Sequence, residues 1–234
     1  MPLKSREHWE RRFGESNPNW SGDRWLDIAH GRALRSGLKR IWPDDASRVL
    51  DVGAGDGRVG RWVKDRMGVK VRALDEVEFP SVRARLGPPI LCDAERMHWN
   101  SEVRLLSPDM VMMVNSLTCT MNWRQMLSAA FEATQRYVLV LDNLQTPTPE
   151  FRKGLPHVFP VELPELVKLA TRRGASPVVR MRTVDVFHRR MFLKTPKWVH
   201  PAVCGITIAG DLAAQRVLTP IRARHVAVLF EKET

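Results

Sequence analysis

Five short apolar runs between Arg48 and Asp142, each separated from the next by an amphipathic stretch, constrain this chain more than any other feature. They are RVLDV (48–52), VKVRAL (69–74), PPILC (88–92), DMVMMVN (109–115) and RYVLVLD (136–142). Each is continuous in its apolar character, as a strand covered on both faces must be. The intervening stretches predict helices over 57–67, 79–86 and 122–134, the last with Met126, Ala129, Ala130 and Ala133 on one stripe. Strand alternating with helix predicts an α/β, doubly wound and mostly parallel sheet. A proline-rich turn (TPTPE) then leads to a helix over LPELVKLATRRG, closed by Gly174 at its C-cap. A strand around 177–187 and a final one, HVAVLFEK (225–232), bring the expected count to seven. Before the first strand, residues 5–40 are polar and basic with recurring aromatics and read as two helices around a loop. They form an expected cap over 1–45 that contributes nothing to the core. At 234 residues the whole is one domain: the cap, a core over 46–187, an insertion over 188–224 and the last strand within 225–234.

The turn after the first strand, RVLDVGAGDGRVG, carries Gly53, Gly55, Gly57 and Gly60. Glycine there admits positive φ and lets backbone amides approach a ligand with no Cβ between them. As Gly55-x-Gly57-x-x-Gly60, followed about twenty residues on by Asp75, the turn formally satisfies a dinucleotide fingerprint. Two acids oppose that reading. Asp51 stands at the end of the strand and Asp56 between the glycines, so negative charge sits where a pyrophosphate would approach a helix N-terminus. A cationic amino-acid tail is favoured at the same place, and a dehydrogenase is disfavoured by Asp51.

On these residues, VLDVGAGDG resembles the first motif of the class I S-adenosylmethionine-dependent methyltransferases, an acid followed by GxGxG. Further landmarks follow in order through VKVRALDEVE, ILCDAERMHWN and PDMVMMVNSL, and the resemblance covers roughly 45–142. It implies a Rossmann-like sheet with an antiparallel last strand, and S-adenosyl-L-methionine as cofactor. By resemblance the cofactor-binding residues are Asp51, Gly53, Ala54, Gly55, Asp75, Glu76, Asp93, Ala94 and Asn115. Asp75 would take the ribose hydroxyls, Asp93 and the backbone of Ala94 the adenine edge, and Asn115 with Ser116 the methionine portion beside the acceptor. Trp99 and Trp20 are candidates to cover adenine, and Gly60 belongs to helix packing. In such a fold the 188–224 insertion lies on the substrate side of the crevice.

The acceptor is less legible. The chain has NSLTC where amino-methylating nucleic-acid enzymes carry an Asn/Asp-Pro-Pro-aromatic run. Cys119 follows Thr118, not the proline that typically precedes a cytosine-5 nucleophile, and the lysine–acid tetrad of ribose 2′-O enzymes has no clear match. A small-molecule acceptor is one reading. The other is nucleic acid: 37 Lys and Arg against 26 Asp and Glu leave a net charge of +11, and RMRTVDVFHRRMFLKTPKWVH (180–200) interleaves six cations with Phe187, Phe192 and Trp198. A non-catalytic, methyltransferase-like module that binds nucleic acid or a partner is the alternative from another class. His157, His188 and His200 have the chemistry of a general base, but none is assigned as catalytic. Three scattered cysteines, Cys92, Cys119 and Cys204, encode neither a disulfide framework nor a metal site. The charged N-terminus and the lack of any apolar run near the roughly 20 residues of a membrane span lead to an expectation of a soluble, cytoplasmic protein. Oligomeric state is left open.

Overall fold

The structure is a computed structural model that describes residues 24–144, 161–175, 180–185, 192, 195–217 and 225–233. Its strands are β1 (Arg48–Val52), β2 (Lys70–Asp75), β3 (Ile90–Leu91), β4 (Met110–Val114), β5 (Tyr137–Asp142), β6 (Arg180–Asp185) and β7 (His225–Glu231). They hydrogen-bond in the order β3-β2-β1-β4-β5-β7-β6. Pairings among β1 to β5 are parallel, whereas β7 runs antiparallel to both β5 and β6. The sheet is therefore mixed and mostly parallel, with its antiparallel pairing confined to one side. β3 shrinks from the expected 88–92 to two residues because Pro88 and Pro89 have no N–H to give to a ladder.

Between the strands lie α1 (Arg24–Ile41), α2 (Arg58–Met67), α3 (Pro80–Leu86), α4 (Ser101–Leu106), α5 (Trp123–Ala133), α6 (Leu163–Arg172) and α7 (His200–Val217). Successive residues of β1 alternate between two cores. Leu50 and Val52 pack with α4, α5 and α6 on one face, and Val49 packs with α1 and α2 on the other. Every residue of β5 is buried, as the continuous YVLVLD run requires. Gly174 closes the stretch after α6 at φ +71°, the conformation expected of a C-cap glycine.

The expectation of a cap outside the core is corrected for residues 24–41. Ala33, Leu34, Leu38 and Ile41 form an apolar stripe on α1 and join Met110, Met112, Leu139, Ala227 and Leu229 in the core of that face. Arg32, Arg35 and Lys39 are exposed on the same helix, and their charge hides an amphipathic element among polar residues. Residues 1–23 lie outside those described. Leu38 is fully buried, so Leu38→Ala is expected to destabilise the fold by about 2–5 kcal/mol in denaturant titration. A loss well under about 1 kcal/mol would mean that α1 is not a core helix. Within the expected 188–224 insertion, α7 packs against α1 and β6, so much of this segment is ordered helix.

Candidate functional site

The sheet order reverses between β1 and β4, where an open α/β sheet offers its crevice at the carboxyl ends of the strands. The glycine turn stands at that edge. Gly53, Gly55 and Gly57 have φ of 69°, 55° and 75°, a region that L side chains rarely adopt. A Cβ on Gly53 would lie 2.6 Å from the Cβ of Ser116, so the turn presses directly against the end of β4. A Cβ on Gly60 would lie 2.5 Å from Oδ2 of Asp51, which assigns that glycine to packing of α2 over the first strand.

Asp51 is buried, and its Oδ2 has no hydrogen-bond partner among the described residues. Burial, then the charges of Asp75 and Asp56, push its carboxyl up to about 7, and the Gly60 backbone amide counters only part of this. Asp75 ends β2. Its Oδ2 accepts from the Gly55 amide at 2.9 Å and its Oδ1 from the Val77 amide at 3.4 Å, which ties the acid to the glycine turn. Burial raises the Asp75 carboxyl too, against the pull of those amides. Glu76 is raised by burial and by Asp93, Asp75 and Glu95. Asp93 caps the short 3-10 helix Ala94–Trp99 by accepting from the Glu95 amide at 2.8 Å, and Ala94 is half-buried beside it. Asp51, Gly53, Ala54, Gly55, Asp75, Glu76, Asp93 and Ala94 thus come together along the ends of β1, β2 and β3. That edge concentrates carboxylates, and it suits a cation bearing hydroxyl and amino groups.

Asn115 follows β4 in the left-handed region at φ 54°, an uncommon position for a residue other than glycine. Its amide donates to Leu141 O at 2.8 Å, its Oδ1 is buried without a partner, and its Nδ2 lies 3.5 Å from His30 Nε2. Ser116 Oγ is also buried and unpartnered. Two polar atoms beside the end of β4, on Asn115 and Ser116, therefore lack a hydrogen bond from the described residues, as does Asp51 Oδ2 beneath α2 at the glycine turn. Buried polar atoms in native folds are satisfied nearly everywhere else, so this clustering points to a ligand.

Sequence reasoning missed a second group at the same edge. The rings of His30 on α1 and His225 at the start of β7 meet edge to face, centroids 5.1 Å apart. β7 runs antiparallel and therefore begins where β5 ends, with Asp142 opposite Val226. Asp142 is fully buried. It accepts from the Thr118 amide and hydroxyl and from the Asn143 amide, and burial raises its carboxyl while His225 counters. The signal was present in RYVLVLD, which ends in an acid as the second strand does, and in the His that opens the last strand. Of the histidines considered as bases, His157 and His188 lie outside the described residues. His200 is buried with Nε2 3.1 Å from Thr195 O.

The basic stretch 180–200 divides. Arg180–Asp185 form edge strand β6, Phe192 is buried with Ala29, Val203 and Cys204, and Trp198 is exposed. Phe192 is thus an apolar core residue and offers no face to a base. Phe187, Arg189, Arg190 and Lys194 lie outside the described residues, as does Trp20. Trp99 stands exposed on the 3-10 helix that Asp93 caps.

No family model matches the chain, and no curated protein matches it in sequence. Solved structures do match in fold. An S-adenosylmethionine-dependent methyltransferase from Thermotoga maritima superposes with a TM-score of 0.65 at 15% identity, over 97% of this chain and 99% of its own. One from Archaeoglobus fulgidus gives 0.62 at 16% identity, over 96% and 98%. Magnesium protoporphyrin IX methyltransferase from Synechocystis, with bound S-adenosylhomocysteine, gives 0.62 at 12% identity, over 97% and 93%. The chain has the fold of the class I S-adenosylmethionine-dependent methyltransferases. No helix among the described residues is long and apolar enough to cross a membrane.

Proposed function

We propose that this protein binds S-adenosylmethionine and moves its methyl group to an oxygen or nitrogen of an acceptor. The observation that carries the reading is Asp51: a buried, unpartnered carboxylate oxygen under a left-handed glycine turn, repelled by Asp75 and Asp56. A pyrophosphate would add to that repulsion, whereas the ammonium of an amino-acid tail relieves it. In this reading Asp51 and the amides of Gly53, Ala54 and Gly55 hold the methionine end. Asp75 and Glu76 take the ribose hydroxyls, Asp93 and Ala94 the adenine edge, and Asn115 and Ser116 line the side facing the acceptor. The cofactor supplies a methyl group already activated as a sulfonium. The protein's share is alignment, exclusion of water and custody of any proton the acceptor must lose.

His30 and His225 stand where such a proton would be received. Asn115 Nδ2 lies 3.5 Å from Nε2 of the His30 ring on the crevice side, and the His225 ring packs edge to face against that ring. They replace His157, His188 and His200 as the residues of choice for a base. The 188–224 segment is read as lying on the substrate side, and the protein as cytoplasmic. The competing reading is a methyltransferase-like module without turnover, which shares the fold and differs in whether it keeps the cofactor.

Thermal unfolding separates the two. S-adenosylmethionine or S-adenosylhomocysteine at about a hundred times Kd is expected to raise Tm by about 5–10 °C. Nicotinamide dinucleotides at the same concentration are expected to leave Tm unchanged. No shift with either methionine-derived ligand would reject the reading, and a shift with the dinucleotides alone would revive the dehydrogenase.

A further inference from the structure

Away from the glycine turn, α1, α2 and α7 enclose a groove of about 570 Å³. Arg32, Arg35 and Lys39 line it from α1, Arg66 and Trp62 from α2, and Leu212 from α7. None of the four cations forms an ion pair with a carboxylate of the described residues, whereas Arg48, Arg61 and Arg83 elsewhere each hold one at 2.7 Å. The lining holds one acid, the almost wholly buried Asp211, against four cations. Arg35 is held in place by donating from Nε to Gly31 O at 2.8 Å. Burial and the neighbouring charges of Arg32 and Arg66 make its positive charge harder to keep. A fold that gathers four cations around an apolar floor, none of them ion-paired within the described residues and with one buried acid among them, leaves a place for a polyanion.

We propose that this groove binds single-stranded nucleic acid. The three cations of α1 stand at i, i+3 and i+7, a run of about 10 Å along the helix, with Arg66 facing them from α2. That is a line of charge suited to successive phosphates of a strand, longer than one phosphate group needs. Half-buried Trp62 and exposed Leu212 give apolar surface against which bases can lie. The chain's net charge of +11 draws such a partner in from a distance. α1 also gives the groove a direction. His30 meets Asn115 at the carboxyl edge of the sheet, while Ile41 leads into the opposite edge, where β1 begins. The cations therefore mark a path along α1 that ends at the crevice. The candidate surface is thus α1 with α2 and α7, apart from the 180–200 stretch that the sequence singled out. It stands on unpaired charge and is independent of what the glycine turn holds.

The test is fluorescence anisotropy of labelled oligouridylate and oligothymidylate of about 12 nucleotides, with the full chain, between about 50 and 300 mM KCl. The parent is expected to bind with an affinity that falls steeply with salt. Arg35→Gln with Arg66→Gln is expected to weaken binding at least tenfold near 100 mM KCl and to flatten the log–log salt slope by about 1.4, two phosphates' worth. Trp62→Ala is expected to weaken it about fivefold or more. A control with the same charge loss, Arg104→Gln with Lys168→Gln on exposed sites of α4 and α6, is expected to leave binding within about twofold. Circular dichroism and thermal unfolding of each variant establish that it is folded. Absence of binding by the parent, equal losses in groove and control variants, or displacement of the oligonucleotide by millimolar inorganic pyrophosphate at constant ionic strength would each overturn the proposal. The last result would assign the groove to a small anion.

Discussion

Asp51→Asn is expected to stabilise the ligand-free protein above neutral pH while weakening its hold on S-adenosylmethionine. An aspartate titrates near 3.8 when exposed and at about 7 in this fold, where burial comes first and Asp75 and Asp56 add to it. Because the folded pKa lies above the unfolded one, the native state binds more protons between about pH 4 and pH 7. Stability from this group is therefore present below about pH 4, declines as pH rises through the window and is level above it. Three pKa units correspond to about 4 kcal/mol, the upper end of what the variant should recover at pH 8. Asp142, Asp75 and Glu76 are raised by burial as well, so the parent falls with pH for several reasons. The difference between parent and variant isolates Asp51. Urea titrations of both proteins at pH 4, 6 and 8 give the result directly: a gap that opens toward pH 8 supports the assignment, and a pH-independent gap contradicts it. Added S-adenosylmethionine should reverse the order, because its ammonium favours the carboxylate that the apo-protein disfavours.

Asp75→Ala is expected to weaken cofactor binding about 10- to 100-fold, the range for removing a buried charged hydrogen-bonding group. Two effects combine in that loss. The carboxylate is proposed to accept the ribose hydroxyls, and its Oδ2 already accepts the Gly55 amide at 2.9 Å, so removing it also loosens the glycine turn. Asp75→Asn separates them, since the amide oxygen can still accept from Gly55. If the turn were all that mattered, Asn would bind like the parent. An intermediate loss for Asn and a full loss for Ala, measured by calorimetry, is the expected pattern. Unchanged affinity in both variants would remove Asp75 from the site.

The parts of the site that follow a strand in sequence were legible before the structure. Asp75 and Asp93 each stand directly after an apolar run, Asp51 is the last residue but one of another, and glycines announce a turn that only positive φ can make. What stayed hidden is long-range. His30 and His225 come from the first described helix and the last strand, and no local pattern joins them to each other or to Asn115, which the sequence did single out. α1 reads as a cap in sequence because Arg24, Arg32, Arg35, Lys39 and Arg40 interrupt its apolar residues, although four apolar side chains on one stripe suffice to seat it. The basic groove was invisible for a related reason. Many arginines of this chain are neutralised by carboxylates distant in sequence, such as Arg48 by Asp109 and Arg136 by Glu231. Composition counts all of them alike, and only the fold separates those without a carboxylate partner among the described residues.

The central claim is that the acidic, glycine-lined crevice holds the cation of S-adenosylmethionine. Its most direct test is titration calorimetry near pH 7 in two buffers of different ionisation enthalpy. One site is expected, with a fraction of a proton released on binding as Asp51 gives up the proton it holds in the apo-protein, and with that release lost in Asp51→Asn. Absence of binding heat for S-adenosylmethionine and S-adenosylhomocysteine in both buffers, with a folded protein, would contradict it.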